Sequence, residues 1–292
     1  MVNFFKILLR ELRPHQWVKN LLVFVPVITS HQISTATIIN ASLGFVAFCV
    51  AASSIYILND ILDINDDRND PVKKKRPIAS GELSIKSAIK VMIWLVALVC
   101  CIAFFIPTNA VYILIFYYLI TTGYSLKLKS VPILDIYILS VLYSVRVVMG
   151  QSMTNITISA WLIVFCMFFF LSLACLKRVS ELYQAQKYNQ HLAKRRGYEV
   201  GDLAVLAPTG ICCALISVLV IGLYINSEQV KALYQHPEYI WFTVFVLLFW
   251  KMRLWFLGMR GLINQDPVIF VIKDKITYVV FLLVLITAIL AS

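Results

Sequence analysis

Apolar runs separated by short polar stretches recur along most of the chain. A helix rises 1.5 Å per residue, so about 20 apolar residues cross the ~30 Å hydrocarbon core of a bilayer. The pattern predicts about nine membrane-spanning helices. They lie near residues 17–35, 38–61, 84–106, 109–127, 131–151, 158–176, 201–226, 238–258 and 272–291. The first is the weakest, because Trp17, Lys19, Asn20 and Pro26 interrupt it. Before it, the charged opening segment has no small-residue cleavage site. It reads as an amphipathic helix on the membrane surface, with Phe4, Leu8 and Leu12 toward lipid. The expected fold class is an all-α polytopic membrane protein, a single integral membrane domain over residues 1–292.

Composition agrees. Hydrophobic residues make up 61% of the 292 positions and charged residues 14%, whereas soluble domains carry roughly 45–50% and about 25%. A net charge of +11 in a soluble protein would suggest nucleic acid. Here all of the 26 lysines and arginines except Arg146 and Lys231 fall in the N-terminal segment or in alternate polar regions. That asymmetry is the positive-inside pattern; it removes the nucleic-acid reading and predicts a cytoplasmic N-terminus and a C-terminus on the far side. The polar motifs share the basic side, so a site facing the cytoplasm is expected. The seven cysteines lie in apolar segments without CxxC or metal spacing and read as small packing residues. Lys187–Arg196 reads as a surface loop on anionic lipid.

Chemistry concentrates in Asn59–Arg76, where five aspartates and five basic residues follow the end of a long apolar run. On a helix Asp60, Asp63 and Asp67 fall at i, i+3 and i+7, on one face. Carboxylates so placed repel each other unless a cation lies between them. Hard oxygen ligands suit Mg2+ carried with a phosphorylated substrate. The competing reading is a solvated acidic helix end followed by a basic membrane anchor, and Lys73, Lys74 and Lys75 fit either role.

Asn59-Asp60-x-x-Asp63-x-x-x-Asp67 resembles the NDxxDxxxD signature of the UbiA-type intramembrane prenyltransferase superfamily. Further segments are similar to one branch of it, the polyprenyl-phosphate phosphoribosyltransferases. They are Arg13-Pro14-His15-Gln16-Trp17-Val18-Lys19-Asn20, Arg76-Pro77-Ile78-Ala79-Ser80-Gly81, Tyr124-Ser125-Leu126-Lys127 with Leu134-Asp135-Ile136, Leu176–Leu182, and Asp266-Pro267-Val268 with Lys273-Asp274. The resemblance implies a UbiA-type helical bundle in a bacterial inner membrane, with Asn59, Asp60, Asp63 and Asp67 holding Mg2+. It implies transfer of phosphoribose from phosphoribosyl diphosphate to a polyprenyl phosphate lipid. Lys19, Arg76, Tyr124, Lys127, Asp135, Arg146, Lys177, Arg178 and Glu181 would contact the substrates, and a homo-oligomer is left open.

One departure matters. Superfamily members that use a prenyl diphosphate carry a second acidic motif, DxxxD, where this chain has Lys177-Arg178-x-x-Glu181. Bases in place of acids suit substrates that bring extra phosphates. The first rival, an aromatic prenyltransferase of the quinone pathway, lacks its second acidic motif here. The second, a membrane transporter, would need ionisable residues in several span centres. Arg146 is the one basic residue read as lying well inside a span, and two roles stand for it: substrate contact, or a partner that holds helices together.

Overall fold

The computed structural model describes residues 2–70, 72–187, 197–263 and 266–292, and among these it is helical with no strand. The helices are α1 (Val2–Leu12), α2 (Val25–Thr29), α3 (Thr35–Leu62), α4 (Ile64–Asn69), α5 (Pro77–Ser80), α6 (Ile85–Ala103), α7 (Thr108–Leu126) and α8 (Leu134–Thr154). They continue with α9 (Ala160–Lys187), α10 (Leu203–Ile225), α11 (Glu228–Leu233), α12 (Ile240–Met259), α13 (Pro267–Lys273) and α14 (Lys275–Ala291). Among the described residues, seven helical segments are long and apolar enough to cross a membrane, and α14 is a shorter apolar helix. These eight coincide with the second to ninth predicted spans.

The first predicted span is different. Pro14–Phe24 forms a 3-10 helix and α2 adds five residues. Neither is among the helices long and apolar enough to cross a membrane. Pro26 stands in the first turn of α2, where a missing backbone N–H costs least, so the α-helix starts there and does not run through from Pro14.

The chain divides into two compact units, residues 1–128 with 145–158 and residues 129–144 with 159–292, so that α8 contributes one part to each. In the first unit α3 starts with a capping box: Ser34 Oγ accepts from Thr37 N at 3.2 Å, and Thr37 Oγ1 accepts from Ser34 N at 2.9 Å. Gly150 on α8 lets the 3-10 segment approach closely, since a Cβ there would lie 2.0 Å from the carbonyl oxygen of Val23. Ile57, Ile78, Leu83 and Ala88 form a buried apolar cluster, with Ile7 and Leu12 packed against it. Leu12 therefore faces inward rather than toward lipid, while Phe4, Phe5 and Leu9 are exposed. In the second unit Gly210 on α10 packs under Trp255, which donates to Ser172 Oγ at 3.0 Å. Of the seven cysteines, Cys49, Cys166, Cys175 and Cys213 are buried as expected, but Cys100, Cys101 and Cys212 are exposed. Residues 188–196 lie outside the described part, and with them most of the proposed lipid-binding loop.

Candidate active site

The chain between α1 and α3 is fastened first. Ser53 Oγ, on α3, donates to the carbonyl of Leu12 at 3.0 Å, and Trp17 Nε1 donates to Ser53 Oγ at 3.1 Å. Arg10 Nη1 reaches Glu82 at 2.7 Å and its Nη2 the Lys75 carbonyl at 2.8 Å. These contacts carry Glu11 and Arg13 to the C-terminal end of α3. Arg13 takes the left-handed conformation, φ 52° and ψ 58°, ahead of Pro14. A non-glycine residue held there is strained, which is most often seen at functional sites.

Asp60 is the centre of the arrangement. It is 2% exposed, and its carboxylate accepts from Arg13 Nη2 and, at 3.0 Å, from Arg76 Nη1. The same Arg76 nitrogen donates to Asp67 Oδ2 at 2.5 Å. Asp60 and Asp67 therefore meet at one guanidinium, but they do not lie on one helix. α3 ends at Leu62, Asp63 caps it, and Asp67 lies in α4, with the 2.8 Å bond from Asp67 N to the Asp63 carbonyl carrying the helical path across the break. Asp67 is buried, and burial pushes its carboxyl up despite the pull of Arg76. Burial acts the same way on Asp70, but the backbone N–H groups of Lys73 and Val72, then the charges of Lys73 and Arg76, hold it below its ordinary value. Asn59 and Asp63 are half-buried beside Asp60.

Glu11 lies against this cluster. It is 1% exposed, and its carboxyl oxygens receive no hydrogen bond from an N–H or hydroxyl donor; the Asp60 carboxylate beside it can share its proton. Burial first, and then the neighbouring Asp60 charge, push its carboxyl up to about 7. Glu11 and Arg13 were not picked out as site residues from the sequence. Arg13 opens the segment Arg13–Asn20, and that was the available signal; Glu11 carried none.

The remaining expected residues of this unit lie along other elements. Lys19 is half-buried in the 3-10 segment, Tyr124 is half-buried and Lys127 exposed at the C-terminal end of α7. Arg146 is buried in α8. It donates to Asn20 Oδ1 at 2.8 Å and to the Tyr117 hydroxyl at 3.5 Å, and its guanidinium carbon lies 5.5 Å from the Phe48 ring centre.

In the second unit Asp135, Arg178 and Glu181 do come together. Arg178 is 1% exposed and donates to both carboxylates, and the Tyr198 hydroxyl donates to Asp135 Oδ1 at 2.5 Å. Burial and that hydrogen bond push the Tyr198 phenol up. Lys177, more open, pairs with Asp266 at 3.1 Å, joining two segments that the sequence singled out separately. Lys251 is a residue the sequence reading misplaced. It was counted with a basic loop but lies in α12, 2% exposed, with its Nζ 3.3 Å from the Phe169 carbonyl and 3.5 Å from the Phe169 ring centre. Its position near the end of an apolar run hid it. Arg146 is therefore not alone as a basic residue buried within a span.

Could the acidic site take a metal? As arranged, the described residues contain no ready group of three histidine, cysteine or carboxylate ligands. The donor chemistry nevertheless fits a hard divalent cation: two buried carboxylates, Asp60 and Asp67, and the buried oxygens of Glu11. In this arrangement the guanidinium groups of Arg13 and Arg76 supply the positive charge that such a cation would bring.

Residues 22–260 match the UbiA prenyltransferase family. The chain is 31% identical over 272 residues to uncharacterized protein y4nM of Sinorhizobium fredii, covering 92% of this chain and 53% of that one. It thus spans about half the length of that relative. It is 31% identical over 265 residues to nodulation protein NoeC of Azorhizobium caulinodans, covering 90% of this chain and 85% of that one. To the decaprenyl-phosphate phosphoribosyltransferase of Mycolicibacterium smegmatis it is 28% identical over 284 residues, 94% and 89% of the two chains. Its fold resembles a UbiA homologue from Archaeoglobus fulgidus solved bound to GPP and Mg2+. The TM-score is 0.72 at 17% identity, over 96% of this chain and 99% of that one.

Proposed function

We propose, for a chain that belongs to the UbiA prenyltransferase family and is an integral membrane transferase by that membership, a specific reaction. It moves 5-phosphoribose from phosphoribosyl diphosphate to a polyprenyl phosphate and releases diphosphate. The observation that carries this reading is Lys177-Arg178-x-x-Glu181, a basic segment where prenyl-diphosphate users have acids. The similarity to the M. smegmatis enzyme of that name supports it along most of both chains.

In this reading Asn59, Asp60, Asp63 and Asp67 hold Mg2+, which offsets the charge that develops on the leaving diphosphate. Arg13 and Arg76 border the same carboxylates and bind phosphate oxygens beside them, for which a planar guanidinium is suited. Lys177 offers a partly exposed ammonium for a further phosphate. Arg178, enclosed by Asp135 and Glu181, acts by positioning that segment. Lys19, Tyr124 and Lys127 complete the substrate contacts, while Arg146, buried on Asn20 and the Tyr117 hydroxyl, acts by holding the 3-10 segment in place. A phosphate acceptor is already ionised, so no general base is required of the protein. In this reading the site faces the cytoplasm from a bacterial inner membrane, where a soluble phosphorylated donor is available; the basic bias of alternate polar regions supports that side.

Purified protein should release diphosphate only with both substrates and Mg2+ present. Full turnover by Asp63→Ala would contradict the metal assignment.

A further inference from the structure

The two carboxyl oxygens of Glu11 are buried at 1% residue exposure and receive no hydrogen bond from any other donor of the protein; what is open to them is a proton shared with the Asp60 carboxylate. Burying a carboxyl with so few partners is costly, and native proteins rarely leave one so without a use. The side chain is also held in place. Its neighbour Leu12 packs on the apolar cluster of Ile57 and Ile78 and is bonded through its carbonyl to Ser53, while Arg10 is fixed to Glu82. Ile7, one turn earlier on the same face, packs on that cluster too. What Glu11 faces is Asp60, with Arg13 and Arg76 close enough to act on its charge. Those guanidiniums are committed to Asp60 and Asp67, and Glu11 receives no hydrogen bond from them.

We propose that Glu11, from the N-terminal helix, is a further ligand of the divalent cation bound by Asp60. A cation would take the place of the proton shared by Glu11 and Asp60 and remove the repulsion between the two ionised carboxylates. It would also make α1 part of the site, so that the cation fastens the N-terminal helix to the end of α3. The inference rests on Asp60 being a cation ligand, and the test separates the two.

The probe is Mn2+, titrated into metal-free full-length protein in detergent and followed by its electron paramagnetic resonance signal, with thermal unfolding of each apo variant as the folding control. Glu11→Gln and Glu11→Leu should fold at least as well as the wild type without metal, because each replaces a buried acid. Both should bind Mn2+ about tenfold or more weakly, Glu11→Leu the more severely for having no oxygen to offer. Asp60→Asn should lose binding. Wild-type affinity in both Glu11 variants, with loss in Asp60→Asn, overturns the role of Glu11 and leaves the Asp60 site standing. Wild-type affinity in Asp60→Asn overturns the Asp60 site, and Glu11 falls with it.

Discussion

Arg76 Nη1 lies 2.5 Å from Asp67 Oδ2, and that same nitrogen reaches Asp60 Oδ1 at 3.0 Å. One guanidinium thus ties the end of α3 to α4. Removing one partner of a buried ion pair leaves the other charge exposed to the full desolvation cost, about 3–5 kcal/mol. Arg76→Ala should therefore lower the melting temperature in detergent by several degrees, and Arg76→Lys by less. If Arg76 also binds phosphate, Arg76→Ala should cut transfer by about 10²-fold, the usual scale for losing a charge-stabilising donor. An unchanged melting temperature would show that these carboxylates do not depend on it.

Glu11 gives a pH dependence with a definite sign. Its carboxyl is raised from 4.5 to about 7 in the folded chain, facing Asp60, Arg13 and Arg76. A raised value means the folded state keeps the proton. The associated stability is full below about pH 4.5 and is lost as pH rises through about 7. The effect is on the order of 3 kcal/mol at most. With chelator present, Glu11→Gln should melt above the wild type at pH 8 and converge with it near pH 5. Parallel curves for the two proteins would contradict this.

In the second unit the buried Arg178 depends on Asp135. Asp135→Ala should cost about 3–5 kcal/mol, because the guanidinium keeps its burial and loses a charge partner. Tyr198→Phe removes a hydroxyl that donates to Asp135 and accepts from Ile133 N at 2.7 Å, and should cost about 1–2 kcal/mol. Thermal unfolding in detergent checks both, and the order of the two losses is the informative part.

Gly150→Ala tests the 3-10 segment. The added carbon would sit 2.0 Å from a backbone oxygen, which cannot rotate away as a side chain can. The segment must move, and a loss of more than about 2 kcal/mol is expected. Since Arg146 holds Asn20 of that segment, activity should fall with it.

Much of this was legible from the sequence. Long apolar runs impose helices whatever their neighbours, so α3, α6–α8, α10, α12 and α14 were placed within a few residues, while α9 continues as a polar helix to Lys187, eleven residues past its expected end. Asp60 and Asp67 were legible through spacing, since helical bonds continue past the break at Asp63. What failed was anything decided by a distant partner. The 3-10 path of Pro14–Phe24 depends on close packing against Gly150. Leu12 looked like a lipid-facing position and Glu11 like nothing in particular, and only packing against the α3–α5–α6 cluster turns Leu12 inward and carries Glu11 with it. Lys251 was counted by its nearness to a loop, while its burial follows from Phe169. The bases at Lys177 and Arg178 were legible as a pair, but not their division into a more open ammonium and an enclosed guanidinium.

The most direct measurement supplies membranes or purified protein with phosphoribosyl diphosphate labelled in the ribose, a polyprenyl phosphate and Mg2+, and counts label in the lipid phase. The account predicts label entering the lipid with release of diphosphate, dependent on Mg2+ and on Asp60. No labelled lipid, with transfer instead from a prenyl diphosphate to an aromatic acid, would contradict it.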